Sequence, residues 1–296
     1  MEMDGTNTTP APAATGREVL RYAAFTDQGP GGNPAGVVLD AAGLDDRGRR
    51  ALAADIGYSE TAFLDAMPRD GEYRVRYFSP QAEVAFCGHA TVAAAVALAD
   101  RRGPGQLLFH TLAGPVAVRT EVGEDGCTAT LTSVPTRTRP GYAEELDGAL
   151  RALRWHRDDL DPHYPVHVAY AGNEHLILAV RTRPRLADLN YDYDQLAALM
   201  AERGWTTVQL VHAHSPRLFS ARDPFPPGGV VEDPATGAAA AAFGGYLRAL
   251  ELVDLPARIT LLQGEDMGRP SRLLVDVAAD TAAVEVTGAA SPLPGT

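Results

Sequence analysis

The chain reads as an α/β (α+β) protein of two pseudo-symmetric domains, each a curved, mostly antiparallel sheet around one central apolar helix. Three observations predict this. First, Arg76-Tyr77-Phe78-Ser79-Pro80, an apolar Val84-Ala85-Phe86 and Cys87-Gly88-His89-Ala90-Thr91 lead into an Ala/Val helix. About half the chain later, Arg217-Leu218-Phe219-Ser220-Ala221, Val230-Val231 and Glu232-Asp233-Pro234-Ala235-Thr236-Gly237 lead into an Ala-rich helix to about Leu250. Second, both helices are followed by a strand, a Gly-containing turn and a strand, at 107–111 with 116–121 and at 259–263 with 272–277. Self-similarity of this kind marks an internal duplication. Third, 296 residues with 45% hydrophobic side chains suffice for two ordinary domains.

The remaining elements follow in order. Residues 1–16 are Thr/Ala/Pro-rich and acidic, with no basic or apolar region of a signal peptide, and read as a disordered tail. Residues 19–26 and 35–39 are short apolar runs across the turn-rich Gly29–Pro34, which predicts two strands. Asp45–Ile56 is amphipathic and stops at Gly57, a helix, and Glu60–Leu64 restarts as a strand. The N-terminal domain is thus expected over 17–130. Leu131–Pro140, with two prolines and alternating Thr and Arg, is the expected linker. The C-terminal domain is expected over 141–296, with room for its last residues to return to the first domain. Within it, 166–170 and 176–180 read as strands and 193–202 as a helix.

Composition narrows the chemistry. Basic residues number 26 and acidic 38, for a formal charge of −12, and every basic residue is Arg. Without a single lysine, Schiff-base, pyridoxal-phosphate and P-loop chemistry are excluded, since each needs a primary amine. Scattered arginines on an acidic chain argue against a nucleic-acid surface. No segment approaches the ~20 apolar residues of a membrane helix. Two cysteines, Cys87 and Cys127, make no disulfide framework and fit a reducing, cytoplasmic setting. The expected partner is a small molecule.

Two polar clusters stand immediately before helix starts, at Gly88-His89 and Thr236-Gly237. Helix N-termini offer free N–H groups and partial positive charge, a seat for a carboxylate or a developing oxyanion. If the two halves face each other, one cleft receives His89, Asp233 and Glu60. That is an acid/base set, and burial raises a carboxylic acid toward neutral pH. Singly, each has an ordinary alternative: Glu60 as a turn or Arg partner, Asp233 as an N-cap, His89 as a satisfied helix-start histidine. Cys87 reads as a small buried apolar residue. His212 with His214, and His163 with His167, have spacings that invite a metal. The first pair lacks a third ligand nearby, and Pro162 and Pro165 deny the second a helix, so no metal is expected. Nor does any G-x-G-x-x-G open a helix for a dinucleotide.

Gly32-Asn33-Pro34-Ala35-Gly36-Val37, Ser59-Glu60-Thr61-Ala62-Phe63, Arg76–Pro80, Cys87–Thr91, Glu232–Gly237 and Gln263-Gly264 with Gly268-Arg269-Pro270-Ser271 together resemble the PhzF-like phenazine-biosynthesis isomerases, over about residue 18 to the C terminus. The resemblance implies a diaminopimelate-epimerase-like fold with the active site between its halves. It further implies a homodimer and cofactor-free proton transfer that moves a double bond in a small cyclic amino acid. Glu60 matches that family's acid/base glutamate, His89 and Asp233 its other polar site residues, and Gly88 and Gly237 its backbone donors. Asn33, Ser59, Ala90, Thr236 and Ala238, in the same motifs, are expected to complete the substrate surface. Ala238 departs from the Ser common at its position, which alters which polar substituent the site accepts.

The expected function is therefore an isomerase of a cyclic carboxylate-bearing amino acid in secondary metabolism, acting on a phenazine-type or unsaturated proline-type precursor. An epimerase or racemase is the first alternative, although a counterpart cysteine to Cys87 is missing from Glu232–Gly237. A non-catalytic ligand-binding or scaffold protein is the second.

Overall fold

Duplication is visible in the strand pairing itself. A computed structural model describes residues 17–123 and 126–294, so the expected tail at 1–16 lies outside the described residues. The first half runs β1 (Leu20–Thr26), β2 (Asn33–Val38), α1 (Asp46–Ile56), β3 (Thr61–Ala66), β4 (Glu72–Phe78), β5 (Glu83–Val84), α2 (Gly88–Arg102), β6 (Gln106–Thr111), β7 (Gly114–Gly123) and β8 (Gly126–Thr132). The second half begins with β9 (Arg137–Pro140), α3 (Ala143–Leu153), β10 (His167–Tyr170), β11 (Glu174–Ala179), α4 (Arg183–Ala187) and α5 (Tyr193–Arg203). It continues with β12 (Trp205–Ser215), β13 (Leu218–Pro224), β14 (Glu232–Asp233), α6 (Gly237–Ala249), β15 (Ala257–Gln263), β16 (Ser271–Val277) and β17 (Glu285–Pro292).

The two halves repeat one order. β2–β3 and β11–β12 are parallel pairs with helices in the crossover. β4 pairs antiparallel with β3 and β5 and parallel with β6, and β13 does the same with β12, β14 and β15. Most of the other pairs are antiparallel hairpins, as expected. The equivalence of residues differs from the one the sequence suggests. Phe78 stands opposite Glu83 and Pro224 opposite Glu232, which makes Arg222, not Arg217, the partner of Arg76. The reason is chemical: each arginine clasps the glutamate of its short strand with two bonds, Arg76 on Glu83 and Arg222 on Glu232. Arg217 stands in the turn just before β13, and its Phe-Ser sequel is a local coincidence.

Of the stretch 131–140, Leu131 and Thr132 complete β8 and Arg137–Pro140 form β9 against β10, leaving 133–136 between them. Within β9, Thr138 and Arg139 are half-buried and Arg137 and Pro140 exposed. β17 returns to the first half, where it pairs with β8 and β1 as well as with β16.

The two central helices sit in one apolar core. Every residue from His89 to Ala99 of α2 is buried, and α6 is buried nearly throughout. Small residues make this possible: a Cβ on Gly245 would lie 2.2 Å from Thr136 Oγ1, so only glycine lets α6 approach there. A second apolar cluster, from α3, α4, α5 and the other face of β11 and β12, covers the second half from outside.

Candidate active site

The N-termini of α2 and α6 meet: a Cβ on Gly88 would lie 3.7 Å from Gly237 Cα. Their N-cap residues, Cys87 and Thr236, make no side-chain capping bond, so neither helix start is closed by its own chain. Between the halves lies a cavity of about 560 Å³. Glu60, Gly88, His89, Asp233, Thr236, Gly237 and Ala238 all line it.

Glu60 precedes β3 and comes from the first half with His89, whose Nε2 is 3.4 Å from its Oε2. Ser59 Oγ is 3.5 Å from the same ring nitrogen. Cys87 Sγ lies 3.4 Å from His89 Nδ1. Burial pushes the Cys87 thiol up, and the carboxylate of Glu60 adds to this, so the sulfur is held as a neutral thiol. The donor atoms of Glu60, Cys87 and His89 lie within 4.8 Å of one another, close enough to share a cation in geometry.

Asp233 comes from the second half on β14. Asn33 Nδ2 donates to its Oδ1 at 2.7 Å and Thr236 Oγ1 to its Oδ2 at 2.6 Å. Gln263 braces the turn after it, donating to Asp233 O at 2.8 Å and accepting from Thr236 N at 3.2 Å. Gly264 permits this brace, with φ +75° and a Cβ position only 2.8 Å from Pro234 O. Burial raises the Asp233 carboxyl to about 6, against the pull of His89 and its two donors. It therefore exchanges a proton near neutral pH.

Three residues expected at the substrate surface stand behind it. Asn33 holds Asp233 and Ala235 O, Ser59 faces His89, and Ala90 is fully buried in α2. None lines the cavity: Asn33 on β2, Ser59 in the bend before β3 and Ala90 in the first turn of α2 are turned to these supporting contacts. Of the histidine pairs set aside as metal ligands, His212 and His214 pack edge to face with ring centroids 5.0 Å apart, and their ring nitrogens are engaged elsewhere. His212 Nδ1 faces Val180 O and His214 Nε2 faces Ser220 Oγ; His167 meets Thr138 on β9, while His163 precedes β10.

Sequence reasoning passed over a second polar group on the second-half wall. His175, Thr207, Gln209 and Asp223 are all buried on β11, β12 and β13. His175 and Thr207 line the cavity. Burial lowers His175 to about 3 and pushes Asp223 well up, so both are neutral. The available signal was weak: a charged or polar residue in strands that are apolar on both faces.

The family described as phenazine biosynthesis-like protein (PhzC-PhzF) matches residues 22–294. The chain is 32% identical over 276 residues to the uncharacterized isomerase YddE of Escherichia coli, covering 88% of this chain and 90% of that one. It is 28% identical over 279 residues to the trans-2,3-dihydro-3-hydroxyanthranilate isomerase of Pseudomonas aeruginosa, covering 90% and 93%. The solved structure of a predicted epimerase from Pseudomonas aeruginosa superposes with a TM-score of 0.83 at 28% identity, over 94% of this chain and 97% of that one. The chain thus belongs to the phenazine biosynthesis-like, PhzC-PhzF family of isomerases.

Proposed function

We propose that the protein is a cofactor-independent isomerase that moves a double bond by proton transfer in a small cyclic amino acid bearing a carboxylate. One observation carries this reading: carboxyl groups from opposite halves, Glu60 and Asp233, enter one cavity beside two abutting helix N-termini. The N–H groups at Gly88 and Gly237 receive the substrate carboxylate. Glu60 takes a proton from a ring carbon, the C–H electrons form the new double bond, the old one opens, and a proton returns at its far end. His89 supports Glu60, and Asp233, near its own pKa, balances the charge. The name of the Pseudomonas relative supports a dihydro-hydroxyanthranilate as substrate, with a place in secondary metabolism. A homodimer rests on the family resemblance, and a reducing cytoplasmic setting on two free, buried cysteines.

Glu60→Gln keeps shape and hydrogen bonding but cannot carry the proton, so turnover should fall about 10²–10⁴-fold while ligand binding stays. Activity within about threefold of wild type removes Glu60 from the mechanism. NMR of the reaction in heavy water separates the alternatives. Deuterium at the new ring position with a migrated double bond supports isomerisation. The second reading, an epimerase, is favoured by the Cys87 thiol on the first-half wall with Asp233 on the other, and requires deuterium at the α-carbon with inverted configuration.

A further inference from the structure

We propose that His175 and Thr207 form a specificity-determining subsite on the second-half wall of the cavity, where His175 Nε2 makes a hydrogen bond with a hydroxyl group of the substrate. The proposal rests on the reading of this cavity as the site of a cyclic amino acid.

The internal repeat points to this place. Arg76 stands opposite Phe63 and its equivalent Arg222 opposite Leu210. Three residues before these partners are Glu60 and Thr207, so Thr207 occupies in the second half the position of the acid/base residue in the first. The helix starts match as well: Gly88 with Gly237 puts Ala238 where His89 stands. A methyl group thus stands in place of an imidazole, and Ala238 lines the cavity together with Thr207 and His175.

The hydrogen bonds set the chemistry. Thr207 Oγ1 lies 2.8 Å from Asp223 Oδ1 and 2.8 Å from His175 Nδ1. A hydroxyl has one hydrogen. Asp223 is itself held neutral, so two arrangements follow: with the Thr207 hydrogen on Asp223, Nδ1 carries the imidazole proton and Nε2 accepts, and with the Asp223 proton given to Thr207, the Thr207 hydrogen goes to Nδ1 and Nε2–H donates. His175 is 0% exposed, and its Nε2 has no hydrogen-bond partner among the described residues. Of the buried side-chain atoms in that condition, it is the one whose residue lines the cavity. Buried polar groups are paired as a rule, and an unpaired nitrogen of a neutral imidazole is suited to select a ligand that carries a hydroxyl.

The test uses two pairs of stable cyclic acids that differ by one hydroxyl, anthranilate with 3-hydroxyanthranilate and L-proline with trans-4-hydroxy-L-proline, titrated calorimetrically. In at least one pair the hydroxylated member should bind wild type tenfold or more tightly. That preference should fall below about threefold in Thr207→Val and His175→Phe and return in Thr207→Ser, with melting curves confirming that each variant folds. If Thr207→Val and His175→Phe fail to fold, loss of the preference in Thr207→Ser overturns the proposal and its retention supports it. Equal binding within every pair, or a preference that survives in folded Thr207→Val, overturns the subsite and leaves the cyclic amino acid reading standing. Failure of all four to bind sinks that reading and the subsite with it.

Discussion

Asp233 is where local chemistry is most exposed to measurement. Its carboxyl titrates near about 6 in the folded protein because it is buried, against about 4 in an unfolded chain. Between those values the folded state holds a proton that the unfolded state has released. Stability therefore falls as pH rises through that window, and the loss is complete above it. The contribution is on the order of 2–3 kcal/mol. Urea unfolding of Asp233→Asn at a series of pH values should show a shallower decline between about pH 4 and 6 than wild type; parallel slopes would mean the carboxyl is not perturbed. Glu60, His89 and Asp233 were legible in the sequence because each stands beside a helix start or a strand start, a local signal. Asn33 was legible as a motif residue but not in its role. Its contact with Asp233 joins residues 200 positions apart, and no spacing along the chain foretells that.

At the scale of elements, the short strand carrying Asp233 is held by the Arg222–Glu232 pair. Arg222 Nε donates to Glu232 Oε1 at 2.9 Å and Nη2 to Oε2 at 2.6 Å, and both residues are buried. Removing one partner leaves the other charged and unpaired in the core. Arg222→Met should destabilise by about 3–5 kcal/mol and weaken activity by loosening Asp233, whereas Arg222→Met with Glu232→Leu should recover much of the stability. Equal stability of the single and double variants in chemical unfolding would deny that the lost pairing is the cause. The equivalent pair in the first half, Arg76 and Glu83, is partly exposed and also engages Asp46 on α1, so its loss should matter less.

The whole molecule is tied by β17. That strand belongs to the second half by sequence and pairs with β1 and β8 of the first. Residues 17–136 produced alone would leave β1 and β8 without this neighbour and a core around α2 open on one side. Such a fragment should show no cooperative thermal transition by circular dichroism. A sharp transition near that of the full chain would show that the first half is self-sufficient.

The sequence by itself determined the duplication, the two buried Ala-rich helices, the clustering of Glu60, His89 and Asp233 in one cleft, and the family. These rest on side-chain periodicity, capping chemistry and short motifs, all of which are local. Only the tertiary structure decided that Arg222 answers Arg76, that Asn33 and Gln263 brace Asp233, and that His175 and Thr207 line the same cavity as Glu60 and His89. The physical reason is long-range pairing. β11, β12 and β13 are covered on both faces, by α6 on one side and α3 and α5 on the other, so burial erases the alternation that would mark an inward-facing residue. Which polar groups then meet depends on strand register between distant segments, and that is settled only when the chain closes on itself.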